Sequence, residues 1–195
     1  MNDYGLICIG GSWGGLAAVS RLFRSLPDDV DVPIALTLHR AAESTGLSAL
    51  LQASSRMVVC EAEDKQPIER GRVYVAPPDY HLLIEDRAFA LSTDERVQFA
   101  RPSIDVLFES AADAFGDCVI GIVLTGANTD GALGLAAIKD AGGVAVVQLP
   151  EEAEKRAMPD AAIAATHADA VLPVEEMGKF LYGLTYRRAA VRSLT

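Results

Sequence analysis

Leu6-Ile7-Cys8-Ile9-Gly10-Gly11-Ser12-Trp13-Gly14-Gly15 joins an apolar run to a turn that holds four glycines and one serine. The run reads as a buried strand. A helix is predicted from Gly15 to Ser25, because Leu16, Val19, Leu22 and Phe23 recur at helical spacing before Pro27. Gly10, Ser12 and Gly14 match G-x-S-x-G, the spacing of a nucleophile elbow, in which glycines permit a strained strand-to-helix turn that lifts the hydroxyl off the sheet. The free N–H groups of the helix start aim at the same spot. Acyl transfer needs that arrangement, a serine oxygen beside backbone donors that can hold an oxyanion. A glycine-rich turn between strand and helix also describes a phosphate cradle, and the spacing alone leaves both readings open. A dinucleotide fingerprint fails, because Ser12 stands where G-x-G-x-x-G needs its second glycine, and the second strand ends in His39 rather than an acidic residue. A P-loop fails too, since no Gly-Lys-Ser/Thr follows.

Outward from that turn, Val32 to Leu38 is apolar enough for a strand buried on both faces, as parallel strands are, with His39 and Arg40 where it leaves the sheet. Leu47, Leu50 and Leu51 predict a second helix starting near Glu43 and Ser44, and Met57 to Cys60 a short strand. Between residues 67 and 91 the segments Arg72 to Ala76, Tyr80 to Ile84 and Ala88 to Leu91 predict a small antiparallel insert. His81, inside it, reads as a surface residue of a half-exposed strand. Ile104, Leu107, Phe108 and Ala111 mark an amphipathic helix with Ser103 as its N-cap. Cys118 to Thr125 is the most hydrophobic strand and is expected at the centre. It enters Gly126-Ala127-Asn128-Thr129-Asp130-Gly131, a second polar turn, before a helix from about Ala132 to Ala141 that Gly142 and Gly143 end. A strand at Val144 to Val147, a mobile polar loop from Gln148 to Lys155, a short helix around Asp160 to Ala165, a strand at Ala170 to Leu172 and a helix from Val174 complete the pattern. The tail Tyr186 to Thr195, with Arg187, Arg188 and Arg192, is expected to be a solvated helical end. Alternating strands and helices predict an α/β fold, a doubly wound, mostly parallel sheet flanked by helices, as one domain over residues 1–195.

In such sheets ligands bind outside the carboxyl ends of the strands, and Ser12, His39 and Asp130 all fall at strand ends. Each has a plain structural reading: a small turn residue, a polar strand terminus, and the N-cap of the helix that follows Asp130. Together they are the three parts that nucleophilic catalysis requires, a serine, a base and an orienting carboxylate. Asp130 is then expected to accept a hydrogen bond from Nδ1–H of His39.

The formal net charge is −10 and half of the residues are hydrophobic, which excludes the disordered class and makes nucleic acid and anionic membrane poor partners. Cys8, Cys60 and Cys118 are odd in number and sit in apolar runs, so free buried thiols and a cytoplasmic location are expected. No pair of cysteines has metal-ligand spacing, His39, His81 and His167 lie far apart in sequence, and neither a metal nor a cofactor is expected. No apolar run approaches the length of a membrane span, so no insertion is expected.

Four ordered motifs then resemble one family, the CheB protein-glutamate methylesterases of bacterial chemotaxis. Ile9 to Gly15 resembles its serine turn, Leu38-His39 its histidine, Arg101-Pro102-Ser103-Ile104-Asp105-Val106-Leu107-Phe108 a characteristic helix start, and Leu124-Thr125-Gly126 through Asp130-Gly131 its aspartate turn. The resemblance implies a triad of Ser12, His39 and Asp130 that hydrolyses glutamate γ-methyl esters on the cytoplasmic helices of methyl-accepting chemoreceptors, with deamidation of receptor glutamines as a second activity. It also implies oxyanion donors among the backbone N–H groups of Gly11, Trp13, Gly14 and Ala127. The chain departs from the family where Trp13 replaces the usual threonine and where Ala127-Asn128-Thr129 replaces the common Met-Gly-Asn. The family's typical N-terminal receiver domain is not expected, since the first strand begins at Tyr4, so a separate regulatory protein is the expected source of control. The alternative reading is a non-catalytic module of the same fold that holds an anion or a receptor segment at the helix N-terminus.

Overall fold

The computed structural model describes residues 4–192, with side chains through residue 185. The expectation for the tail at Tyr186 to Thr195 therefore lies outside the described side chains.

The elements run β1 (Leu6–Gly11), α1 (Gly15–Ser25), β2 (Ile34–Leu38), α2 (Leu47–Gln52), β3 (Val58–Glu61), β4 (Arg72–Val75), β5 (His81–Glu85), β6 (Ala88–Ser92) and α3 (Ile104–Phe115). They continue through β7 (Val119–Val123), α4 (Ala132–Asp140), β8 (Val144–Gln148), α5 (Ala157–Ala165), β9 (Ala170–Leu172) and α6 (Val174–Arg192). Seven strands form one parallel sheet in the order β3-β4-β2-β1-β7-β8-β9. Both β1 and β7 are buried along their whole length, as strands covered on two faces must be.

The period of two sorts their side chains. Ile7, Ile9, Ile120 and Ile122 pack with Val19, Leu22, Met177 and Leu181, under α1 and α6. Leu6, Cys8, Val119 and Val123 pack with Ile104, Phe108, Leu135 and Ile138, under α3 and α4. From β1 the chain builds outward through β2 on one side and later through β7 on the other. The turns after β1 and β7 therefore part at the switch point of the sheet, where such folds bind ligands.

Three expectations change. Arg72–Val75 does not belong to the antiparallel insert but joins the main sheet between β2 and β3, its Val73 and Val75 buried against the α1 face. The insert is the hairpin of β5 and β6. His81 is not a surface residue: it is 1 % exposed, wedged beneath the start of α3. Ser103 N–H donates to its Nδ1 (3.2 Å), so the proton sits on Nε2, 3.0 Å from Glu95 O. The second helix begins only at Leu47, because Gly46 before it is left-handed at φ 78°. Among the described residues Cys8, Cys60 and Cys118 form no disulfide, Cys8 and Cys118 are buried and Cys60 half-buried, and burial pushes the Cys8 thiol far up. Among the described residues no helix is long and apolar enough to cross a membrane.

Candidate active site

Ser12 stands at the end of β1, where its N–H donates to Thr125 O (2.9 Å) and its carbonyl accepts from Gly15 N–H (2.8 Å). Gly14, between them, is left-handed at φ 78°, and a Cβ there would meet Glu154 Cβ at 2.9 Å. The turn after β7 lies close beside it, since a Cβ on Gly126 would stand 3.0 Å from Ser12 Cβ. His39 leaves β2 with its N–H on Gly11 O (3.1 Å). Thus the sheet ladder itself sets histidine and serine side by side.

His39 Nε2 lies 2.7 Å from Asp130 Oδ2, with the histidine side chain 14 % and the aspartate 0 % exposed. The ring is turned opposite to the sequence expectation. Nε2–H serves the carboxylate, and Nδ1 is the acceptor, with Asn128 Nδ2 as its donor at 3.5 Å. Ser12 Oγ makes no hydrogen bond among the described residues, the loose relation that unliganded catalytic groups often show.

Asp130 does more than hold His39. It does not cap the helix that follows, whose N-cap is Gly131 at φ 92°. Its carboxylate accepts instead at the start of α3: Oδ1 from Ser103 Oγ (2.9 Å) and Asp105 N–H (3.0 Å), Oδ2 from Ile104 N–H (2.8 Å) as well as from His39. A negative charge at a helix N-terminus is stabilised by the free N–H groups and the macrodipole. Ser103 is the N-cap of α3, its Oγ accepting from Val106 N–H. The approach of α3 to the end of β1 requires Gly10, because a Cβ there would run into the Ile104 side chain.

Burial pushes the Asp130 carboxyl upward, but the His39 ring and the N–H groups of Asp105 and Ile104 together outweigh it and hold it below the ordinary carboxylate value. The neighbouring Asp105 goes the other way, pushed up to about 6 by burial and by the Asp130 charge, against the pull of Gly134 N–H. Asp105 Oδ1 accepts from Gly134 N–H (2.8 Å) and Oδ2 from Gln98 Nε2 (3.0 Å). Gln98 Oε1 in turn accepts from Thr129 Oγ1 (2.7 Å), which ties the 97–100 turn to the aspartate turn. In the same turn, closed by the paired backbone hydrogen bonds of Val97 and Ala100, Phe99 stands 96 % exposed at φ 66°. Asn128, Asp105, Gln98 and Phe99 surround the site without having been singled out by any spacing.

Trp13, Gly14 and Ala127 carry backbone N–H groups with no hydrogen-bond partner among the described residues, while Gly11 lies inside β1 opposite Leu38. Unspent backbone donors in the two turns that meet at Ser12 are what an oxyanion would need. Trp13 is 59 % exposed, its indole N–H on Glu154 (2.6 Å) and its ring under Lys155 Nζ at 5.6 Å. The 148–155 segment, expected to be mobile, is tied down: Lys155 N–H donates to Thr125 Oγ1 (2.9 Å) and Gly126 N–H to Lys155 O (3.0 Å). Beside His39 opens a cleft of about 590 Å³, walled by Arg40, Asn128, Phe99 and Arg101.

A family model described as CheB methylesterase matches residues 7–181. A putative protein-glutamate methylesterase/protein-glutamine glutaminase of Leptospira interrogans is 47% identical over 184 residues, covering 93% of this chain and 95% of the relative. A protein-glutamate methylesterase/protein-glutamine glutaminase of Anaeromyxobacter dehalogenans is 40% identical, over 92% of this chain but only 53% of its own length. Among solved structures, the Thermotoga maritima CheB methylesterase catalytic domain superposes with a TM-score of 0.89 at 29% identity, covering 94% of this chain and 100% of that one.

Proposed function

The chain belongs to the CheB methylesterase family, and from that premise we propose that it is a serine hydrolase of protein glutamate γ-methyl esters with Ser12, His39 and Asp130 as its catalytic residues. The observation that carries the assignment is the pairing of His39 with the buried Asp130 at 2.7 Å, set beside Ser12 by adjacent strand ends. His39 Nδ1, which the Asn128 amide approaches only at 3.5 Å, takes the Ser12 hydroxyl proton as Oγ attacks the ester carbonyl. Asp130 holds the ring by Nε2–H and stabilises the imidazolium that forms. The N–H groups of Trp13, Gly14 and Ala127 receive the oxyanion. Collapse returns the proton from His39 to the methoxide oxygen, methanol leaves, and water repeats the sequence on the acyl-serine to free the glutamate. With a glutamine side chain the same steps release ammonia, the second activity in the names of the relatives.

The substrate in this reading is the methylated cytoplasmic helix of a chemoreceptor, and the site of action is the cytoplasm. Methanol release from methylated receptor tests it, together with labelling by a fluorophosphonate, which reacts only with an activated serine. Both signals should vanish in Ser12→Ala. Unlabelled wild-type protein that releases no methanol would instead support the non-catalytic anion- or receptor-binding module.

A further inference from the structure

Arg40, Arg96 and Arg101 line the cleft beside His39, with Asp79 the one carboxylate among its lining residues. A positive concavity stands out on a chain whose net charge is −10. Two of the arginines are committed. Arg101 binds Asp79 (2.8 Å) and the carbonyls of Thr93 and Asp94, and Arg96 faces the same Asp79 at 3.5 Å.

Arg40 is different. Its side chain is only 6% exposed, and Nη2 alone is engaged, by Glu61 Oε1 and Ala76 O, both at 2.8 Å. Nε and Nη1 are buried without a hydrogen-bond partner among the described residues. Buried donors in native proteins are almost always met, so unmet ones point to a ligand. Its single counter-charge, Glu61, is 40% exposed and screened by solvent. Ala41 and Ala42 line the adjoining wall with nothing larger than a methyl group. Because His39 and Arg40 line the same cleft, a ligand held there lies near the ring that acts on the ester.

We propose that this cleft is an anion subsite in which Arg40 holds a second carboxylate of the protein substrate, one neighbouring the esterified glutamate. The inference rests on the esterase reading. A carboxylate suits the place because it offers acceptors on both oxygens and a charge opposite to the guanidinium. Recognition of this kind selects which esterified glutamate is hydrolysed, by the acidity of its surroundings.

The test uses helical peptides that each carry one glutamate γ-methyl ester and one flanking glutamate, one residue or one helical turn to either side, each paired with its glutamine counterpart. At one of these positions wild type should prefer the glutamate peptide by about 10-fold in kcat/KM, the scale of a hydrogen bond to a charged group. Arg40→Met should reduce that ratio to about 2-fold or less, and Arg40→Lys, which keeps the charge without the planar donors, should leave an intermediate ratio. A structural role would slow both members of a pair alike and leave the ratio unchanged. Wild type that hydrolyses every peptide with no pair differing by more than about 2-fold overturns the subsite and leaves the esterase standing. A preference that survives Arg40→Met overturns it as well. Wild type that hydrolyses no peptide removes the esterase reading, and the subsite falls with it.

Discussion

Asp130→Asn separates a residue that merely caps a helix from one that also orients a base. Each carboxylate oxygen of Asp130 accepts two hydrogen bonds in a fully buried position, Oδ1 from Ser103 Oγ and Asp105 N–H, Oδ2 from Ile104 N–H and His39 Nε2. Asparagine keeps one acceptor and turns the other into a donor. If the new NH₂ takes the Oδ1 place it faces Asp105 N–H, and Ser103 can adapt by rotating its hydroxyl. If it takes the Oδ2 place it faces Ile104 N–H, and His39 can adapt only by moving its proton to Nδ1, the atom that must take the serine proton. Either way one N–H of the first turn of α3 is orphaned inside the protein, at about 1–3 kcal/mol, and the favourable charge at the helix start is lost, at about 0.3–1 kcal/mol. The expected destabilisation is about 1–4 kcal/mol, or a fall in Tm of roughly 3–15 °C for a domain of this size. Turnover should fall by about 10² to 10⁴ beyond that, as in the serine-protease triad, where the same exchange costs about 10⁴. Thermal unfolding gives the first quantity, and methanol release measured well below the mutant's Tm gives the second. A mutant that melts within about 1 °C of wild type refutes the four-bond account of α3. One that keeps more than about half of wild-type activity removes Asp130 from the triad.

Ser12→Ala should abolish methanol release, by about 10³ or more, with Tm nearly unchanged, and residual turnover near wild type would end the esterase assignment. His39→Ala should cost nearly as much, and the double variant little more, because groups that act as a unit are not additive; multiplied losses would place them in separate roles. Gly10→Ala should destabilise by about 1–3 kcal/mol, read as a shifted denaturant midpoint, since its Cβ meets Ile104 and pushes α3 off the end of β1. Asp105 sets a pH dependence. Its folded value of about 6 lies above the ordinary 3.8, so the stability that its proton contributes is complete below about 3.8 and lost as pH rises through about 6. Asp105→Asn cannot ionise, and its stability relative to wild type should therefore improve by about 1–3 kcal/mol between pH 5 and pH 7. A mutant-minus-wild-type difference that stays level across that window would contradict the raised value.

The candidate triad was legible residue by residue because its members sit where local pattern is strongest. The apolar run of β1 ends in glycines at Gly10 and Gly11, that of β2 ends at His39, and that of β7 at the polar turn through Asp130, so strand ends can be read from hydrophobicity alone. The resemblance to CheB proteins rested on the same turns and agrees with the family match over residues 7–181. Local pattern failed where a residue's partner is distant in sequence. Arg72–Val75 looks like the insert strands beside it, and only its slot between β2 and β3 separates them. His81 carries no local sign of burial, because what buries it is the start of α3, 22 residues on.

Sequence by itself determined the strand-helix alternation, the glycine turn that exposes Ser12, and which polar residues stand at the ends of the strands, because these depend on periodicity and on backbone freedom within a few residues. Tertiary structure alone decided that Nε2 of His39 faces Asp130, that Asp130 receives the first turn of α3 rather than capping α4, and that Arg40 is buried with two donors unmet. Those facts follow from the sheet order and from the close approach of α3 over Gly10. A side chain's hydrogen bonds are set by whichever donors the packed elements bring within about 3 Å, and neighbours along the chain carry no record of that distance.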